Sequence, residues 1–171
     1  MKLDEAIKVA LEYEAGVHKV YLDAMNQTTD ETAKRIFSVL CREEAEHLTY
    51  LEERLSEWQA SGKIQIKALG TSLPGREAIK KGLEDLGKTV KPQPTKQIQE
   101  LELLKKALEA EIATSNFYKE MVRTLDGDGQ ELFKRFVEIE EGHEAIVQAQ
   151  MNTVGNWGFW FDMPEFRLEN E

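Results

Sequence analysis

Cysteine is almost absent from this chain: Cys41 is the only one in 171 residues. That excludes an internal disulfide and any Cys-x-x-Cys metal module within the chain. A lone free cysteine most often packs as a small buried hydrophobe, and Cys41 is read that way. Long apolar runs are missing as well. None approaches the roughly 20 residues that a bilayer-spanning helix needs, so no membrane span is expected. The first residues, Met1-Lys2-Leu3-Asp4-Glu5, are charged and lack the apolar stretch of a signal peptide. A cytoplasmic location is therefore expected. Positive charge is in deficit: the formal net charge is -10, which argues against nucleic-acid binding. Bound divalent cations would neutralise part of it. The 41% hydrophobic content excludes a disordered chain, and the length suits one domain with a real core.

Against those absences stand four long helical patterns. The first runs from about Leu3 to Met25, with Ile7, Leu11, Glu14, Val17 and Tyr21 on one stripe. The second runs from about Thr29 to Ala60, with Phe37, Leu40, Glu44, His47, Leu51 and Leu55 inward. Thr28 and Glu31 form a capping box at its start, and Gly62 lies just past its end. Residues 61–95 are punctuated by glycine and proline and read as a connection, with a short helix near Glu77–Leu86. The third pattern covers about Lys96 to Leu125, with Leu104, Leu108, Glu111 and Tyr118 inward. The turn Asp126-Gly127-Asp128-Gly129 ends it, and Asp128 with Glu131 caps the next. The fourth covers about Gly129 to Val154, with Phe133, Phe136, Glu140, His143 and Val147 inward.

The two halves repeat each other. Glu14 precedes Glu44 by 30 positions, and Glu111 precedes Glu140 by 29. Each later Glu opens a Glu-x-x-His, reaching His47 and His143. Tyr21 and Tyr118 each follow the lone Glu by seven. These correspondences predict a duplicated helix hairpin about a pseudo-two-fold axis.

Residues three apart share a helix face, so Glu44 with His47, and Glu140 with His143, can each grip one cation. Glu14 and Glu111 come from the other two helices and close the ring. Four carboxylates and two imidazoles from four helices are the ligand set of a dinuclear site in a bundle. The competing reading is a set of solvated Glu–His pairs, common in a Glu-rich chain. It fails to explain why all six sit inside apolar stripes, where charge is rare unless paired. The repeat also selects Glu44 over Glu43, whose counterpart is Ile139. Glu12 and Glu109 correspond too, but two residues turn a helix by about 200°, so they point to water. Tyr21 and Tyr118 are either plain core or phenols that hydrogen-bond a ligating carboxylate. His18 lies one turn past Glu14 opposite Ser115, and is read as a polar edge.

Glu14-x6-Tyr21, Glu44-Ala45-Glu46-His47, Glu111-x6-Tyr118 and Glu140-Glu141-Gly142-His143, in that order, resemble the rubrerythrin branch of the ferritin-like superfamily. The resemblance covers roughly residues 3–154. It implies an all-α, ferritin-like antiparallel four-helix bundle over residues 1–155, with a long crossover at about 61–95 between the second and third bundle helices. It implies two iron ions, with manganese or a mixed pair also suited to these ligands, that react with hydrogen peroxide or dioxygen. Glu44 and Glu140 would each bind one iron with their His, and Glu14 and Glu111 would bridge or swing. Rubrerythrins proper also carry a cysteine-ligated rubredoxin module, which this chain lacks, so electrons would come from an external donor such as a rubredoxin-like protein. They carry a further Glu one turn past the third-helix ligand, where this chain has Thr114. That points to the more symmetric, rubredoxin-free relatives.

Residues 156–171 form an aromatic tail, Asn156-Trp157-Gly158-Phe159-Trp160-Phe161 and onward through Phe166. It is expected to fold over the bundle end or to meet a second copy in a homodimer. Three functions follow in order: a di-iron oxidoreductase of peroxidase or oxidase type, a ferroxidase that handles iron, and a non-enzymatic bundle with structural metals.

Overall fold

The computed structural model describes residues 1–162, and these contain five helices and no strand. They are α1 (Leu3–Gln27), α2 (Glu31–Ser61), α3 (Arg76–Gly87), α4 (Ile98–Thr124) and α5 (Gly127–Trp157). No helix is long and apolar enough to cross a membrane among the described residues. The inward stripes fold as the 3.6-residue period requires. In α1 the buried positions include Ile7, Ala10, Glu14, Val17 and Tyr21, while Glu12 stays exposed. Glu109 on α4 is likewise exposed.

The helices pack as two hairpins, α1 on α2 and α4 on α5, with α1 also against α4. Two apolar clusters reveal the chain directions. One gathers Val17 and Tyr21 of α1, Phe37 and Leu40 of α2, Leu104 of α4, and Val147 and Val154 of α5. The other gathers Ile7 and Ala10 of α1, Leu51 of α2, Tyr118 of α4, and Phe133 and Phe136 of α5. So α1 and α5 run one way, and α2 and α4 run the other. Ile64 and Leu69 join the second cluster, whereas Leu73 and Ile79 join the first. The segment between α2 and α4 therefore touches both ends.

That segment is fastened at several points. Arg54, fully buried, donates to the Gln65 carbonyl and pairs with Glu57. Tyr50 donates to the Lys67 carbonyl at 2.8 Å, and Arg135 to the Leu69 carbonyl at 2.8 Å. Its irregular carbonyls are thus satisfied by side chains rather than by a sheet or helix ladder.

Several boundaries differ from the sequence expectation. Asp30, not Thr28, caps α2, accepting from the Ala33 amide at 2.9 Å. Thr28 instead closes α1, and its hydroxyl donates to Glu100 of α4, a partner far along the chain. At the second turn only Leu125-Asp126 separates the helices, and Gly127 to Gly129 already belong to α5. Gly127 takes φ 51°, which a side chain would resist. Gln130 satisfies the α4 end by donating to the Val122 and Leu125 carbonyls, so an Asp128–Glu131 cap is not used. The helix near Glu77–Leu86 is present as α3 in spite of its glycines. Gly82 leaves the space that Phe161 fills, since a Cβ there would sit 2.8 Å from the ring.

The tail begins later than expected, because α5 continues to Trp157. Residues 158–162 fold back over the bundle. Gln150 exchanges hydrogen bonds with the Phe161 backbone, and Trp160 donates to Gln97 at 2.7 Å. Residues 163–171, including Pro164 and Phe166, lie outside the described residues. Phe37 joins core and tail, with its ring 5.6 Å edge-on from Trp160. Phe37→Ala is expected to cost about 3–5 kcal/mol, read as a lowered urea midpoint with a red shift in tryptophan emission.

Candidate metal centre

Between the two apolar clusters lies a polar layer. Glu14 comes from α1, Glu44 and His47 from α2, Glu111 from α4, and Glu140 and His143 from α5. All six are at most 1% exposed. Each sits on its helix's inward stripe, so the period that builds the core also delivers the charges. The two imidazoles stack across the α2–α5 gap, with centroids 5.4 Å apart and planes 8° from parallel.

The donor atoms converge as three overlapping groups that could hold a metal ion. Two have four residues, Glu14, Glu44, His47 and Glu140 in one and Glu44, Glu111, Glu140 and His143 in the other; the third is Glu43, His47 and His143. His47 Nδ1 lies 3.1 Å from Glu14, 3.4 Å from Glu44 and 3.4 Å from Glu140. His143 Nδ1 lies 2.8 Å from Glu44, 3.6 Å from Glu111 and 3.8 Å from Glu140. Glu44 and Glu140 thus belong to both four-residue groups, while Glu14 and Glu111 each belong to one. The carboxylates of the Glu-x-x-His pairs stand near both imidazoles because α2 and α5 face each other across the layer.

Tyr118 donates to Glu14, and Tyr21 donates to Glu111. Each tyrosine serves the carboxylate of the opposite half, so the phenol reading prevails over plain core. Burial raises both phenol pKa values, and the neighbouring carboxylates raise them further, which keeps them donors.

Many of these buried polar atoms remain without a hydrogen bond: both oxygens of Glu44 and of Glu140, Glu111 Oε2, His47 Nε2, and both ring nitrogens of His143. Four acceptor-only groups facing one another in a dry interior are costly unless cations or protons come between them. The donor set of carboxylate oxygens and imidazole nitrogens suits iron, manganese or zinc. The proton alternative is visible in the titrations. Burial, with Glu44 alongside, raises Glu14 to about 8. Burial and the other three carboxylates raise Glu140 well above the ordinary range. Burial alone would lower His47, but Glu14 and Glu44 outweigh it and raise it to about 10. His143 is raised in the same way, chiefly by Glu111. Burial would raise Glu44 too, but Glu14 and the two imidazoles hold it well below the usual value.

Glu43 is the residue that sequence reasoning set aside. It is 4% exposed and accepts from Thr71 Oγ1 at 2.6 Å, Ser72 N at 2.9 Å and Ser72 Oγ at 2.7 Å. Its Oε2 lies 3.5 Å from His143 Nε2. Burial would raise its pKa, yet the facing His143, Thr71 and Ser72 hold it at about 2. The missing repeat partner, Ile139, hid it. His18 is only half-buried and lies outside these groups; its carbonyl faces the Cys41 thiol at 4.0 Å. Cys41 is buried, and burial with nearby Glu44 raises its thiol pKa. Thr114 donates to the Ala110 carbonyl of its own helix at 2.9 Å and adds no ligand.

No family model, curated protein or solved structure matches this chain.

Proposed function

We propose that this chain is a rubrerythrin-type, non-haem di-iron oxidoreductase built on a ferritin-like four-helix bundle with a crossover near residues 61–95. One observation carries the reading: two four-residue donor groups that share Glu44 and Glu140 at the centre of a sealed layer. Such sharing is what a pair of cations a few ångströms apart requires of its protein.

Two bound irons would supply electrons to hydrogen peroxide or dioxygen, and an external donor would restore them. The chain's own part is positioning. Glu44, Glu140, His47 and His143 would hold the cations, with Glu14 beside His47 and Glu111 beside His143. Tyr118 and Tyr21 fix one oxygen of Glu14 and of Glu111, and the other oxygen would be the one to hold metal. The apolar clusters above and below exclude bulk water, which strengthens every charge interaction in the layer. Protons held on Glu14 and Glu140 in the metal-free state are exchanged for metal on loading.

A ferroxidase role in iron handling is the second reading, favoured by Thr114, which leaves the two sides with matched ligands. Size-exclusion chromatography separates the two, because iron storage needs a closed multi-subunit shell and a homodimer does not provide one.

Anaerobic loading with Fe(II), followed by hydrogen peroxide, tests the main reading. Two irons per chain and a new near-ultraviolet charge-transfer absorption are expected, with peroxide consumed in step. Two bound irons with no spectral change would sink it.

A further inference from the structure

The third donor group, Glu43 with His47 and His143, lies beside the four inner carboxylates and uses none of them. It offers one atom from each residue, all within 4.8 Å of one another. Both rings turn Nδ1 toward the inner carboxylates, which leaves Nε2 on a different edge of each ring. Both Nε2 atoms are buried and have no hydrogen-bond partner. Glu43 Oε2 lies 3.5 Å from His143 Nε2.

Glu43 also connects the layer to the surface. Thr71 and Ser72, which hold it with three hydrogen bonds, are both exposed. Above and below, by contrast, apolar clusters close the layer. A carboxylate has about four lone-pair sites, and these three bonds leave one on Oε2, the oxygen that faces His143.

Resting on the dinuclear reading above, we propose that Glu43, His47 and His143 form a further, mononuclear position for a divalent cation, a station through which metal passes from the Thr71–Ser72 side to the inner pair. One carboxylate oxygen with two imidazole nitrogens suits zinc, iron(II) and cobalt(II), and leaves coordination positions open for transfer. A neutral imidazole has a single unprotonated nitrogen. A ring that gives Nε2 to the outer cation keeps its proton on Nδ1, where the inner carboxylates accept it. When the proton moves to Nε2, Nδ1 is free for the inner pair. The station and the pair therefore use the same two rings in turn, and the station empties as the pair fills.

Metal-free full-length protein is mixed with Co(II) alone, and visible absorption follows uptake. The wild type is expected to take two Co(II) per chain. Glu43→Gln, which keeps the shape, is expected to reach the same two, but about tenfold or more slowly. Glu44→Gln with Glu140→Gln, which strips the inner pair, is expected to bind one Co(II) per chain, and the addition of Glu43→Gln to abolish it. An unchanged uptake rate in Glu43→Gln overturns the proposal. A final content below two in that variant also overturns it, because Glu43 would then be a permanent ligand. So does a double variant, folded by circular dichroism, that binds no Co(II), or that still binds one once Glu43→Gln is added. If the double variant does not fold, the uptake rate alone decides. A wild type that takes a single Co(II), lost in Glu43→Gln, leaves the outer position standing and defeats the dinuclear reading; a wild type that takes none defeats both.

Discussion

Metal-free protein is expected to melt far below the loaded form, and the gap is expected to widen as the pH rises. A cation that binds only the folded chain, at a thousand times its Kd, adds about 4 kcal/mol. For a chain of this length that corresponds to a rise of roughly 8–16 °C in Tm for each cation. The pH dependence follows from the raised groups. Glu14 titrates near 8 in the fold against 4.5 in the unfolded chain, so between those values the folded state holds a proton that the unfolded state has lost. Stability of the metal-free fold therefore falls as pH rises through that window. His47, raised from 6.5 to about 10, acts in the same direction at higher pH. Metal replaces those protons, so the loaded form escapes the loss and loading releases acid. Calorimetry at pH 5.5, 7 and 8.5, with chelator or with Mn(II), measures the gap. A pH-indicator dye measures the protons. A metal-free Tm that is flat or rising over this range would contradict the cluster's electrostatics.

Replacing both Glu44 and Glu140 by their amides, Glu44→Gln with Glu140→Gln, is expected to abolish tight two-metal binding. Two carboxylates that belong to both four-residue donor groups are lost, so two-metal binding should weaken by at least about a thousandfold, in line with several kcal/mol of lost charge interaction. The metal-free fold should also weaken. Glu140 already holds a proton without metal, so its amide changes no charge there, whereas Glu44, held ionised by Glu14 and the two imidazoles, gives up that pairing. Metal analysis after dialysis and urea unfolding with chelator present report the two effects. A double variant that retains two metals per chain would show that these carboxylates are not the shared ligands. One that unfolds without metal would show that their charge maintains the fold.

Such a cluster is expensive to build without cations or protons between its carboxylates. The apolar clusters on either side, anchored by Phe37 and Leu40 at one end and by Phe133 and Phe136 at the other, bear that cost. Buried carboxylates at the middle of an apolar stripe are a sign of function for this reason: a chain under selection for stability alone would place leucine there.

Helix content, the inward stripes and the six convergent side chains were legible in the residues alone, because each depends on interactions within a few turns of one helix. A 3.6-residue period decides which face is buried, and a three-residue step decides that Glu44 reaches the same space as His47. Tertiary structure decided everything that joins residues on different elements. It assigned Tyr118 to Glu14 and Tyr21 to Glu111, each across the halves. It made Glu44 and Glu140 the shared pair, since only the facing of α2 and α5 brings each carboxylate within reach of both imidazoles. It moved the α2 cap to Asp30 by giving Thr28 a partner on α4. And it drew Glu43 into the site through Thr71 and Ser72, residues on an irregular segment whose path no periodicity encodes.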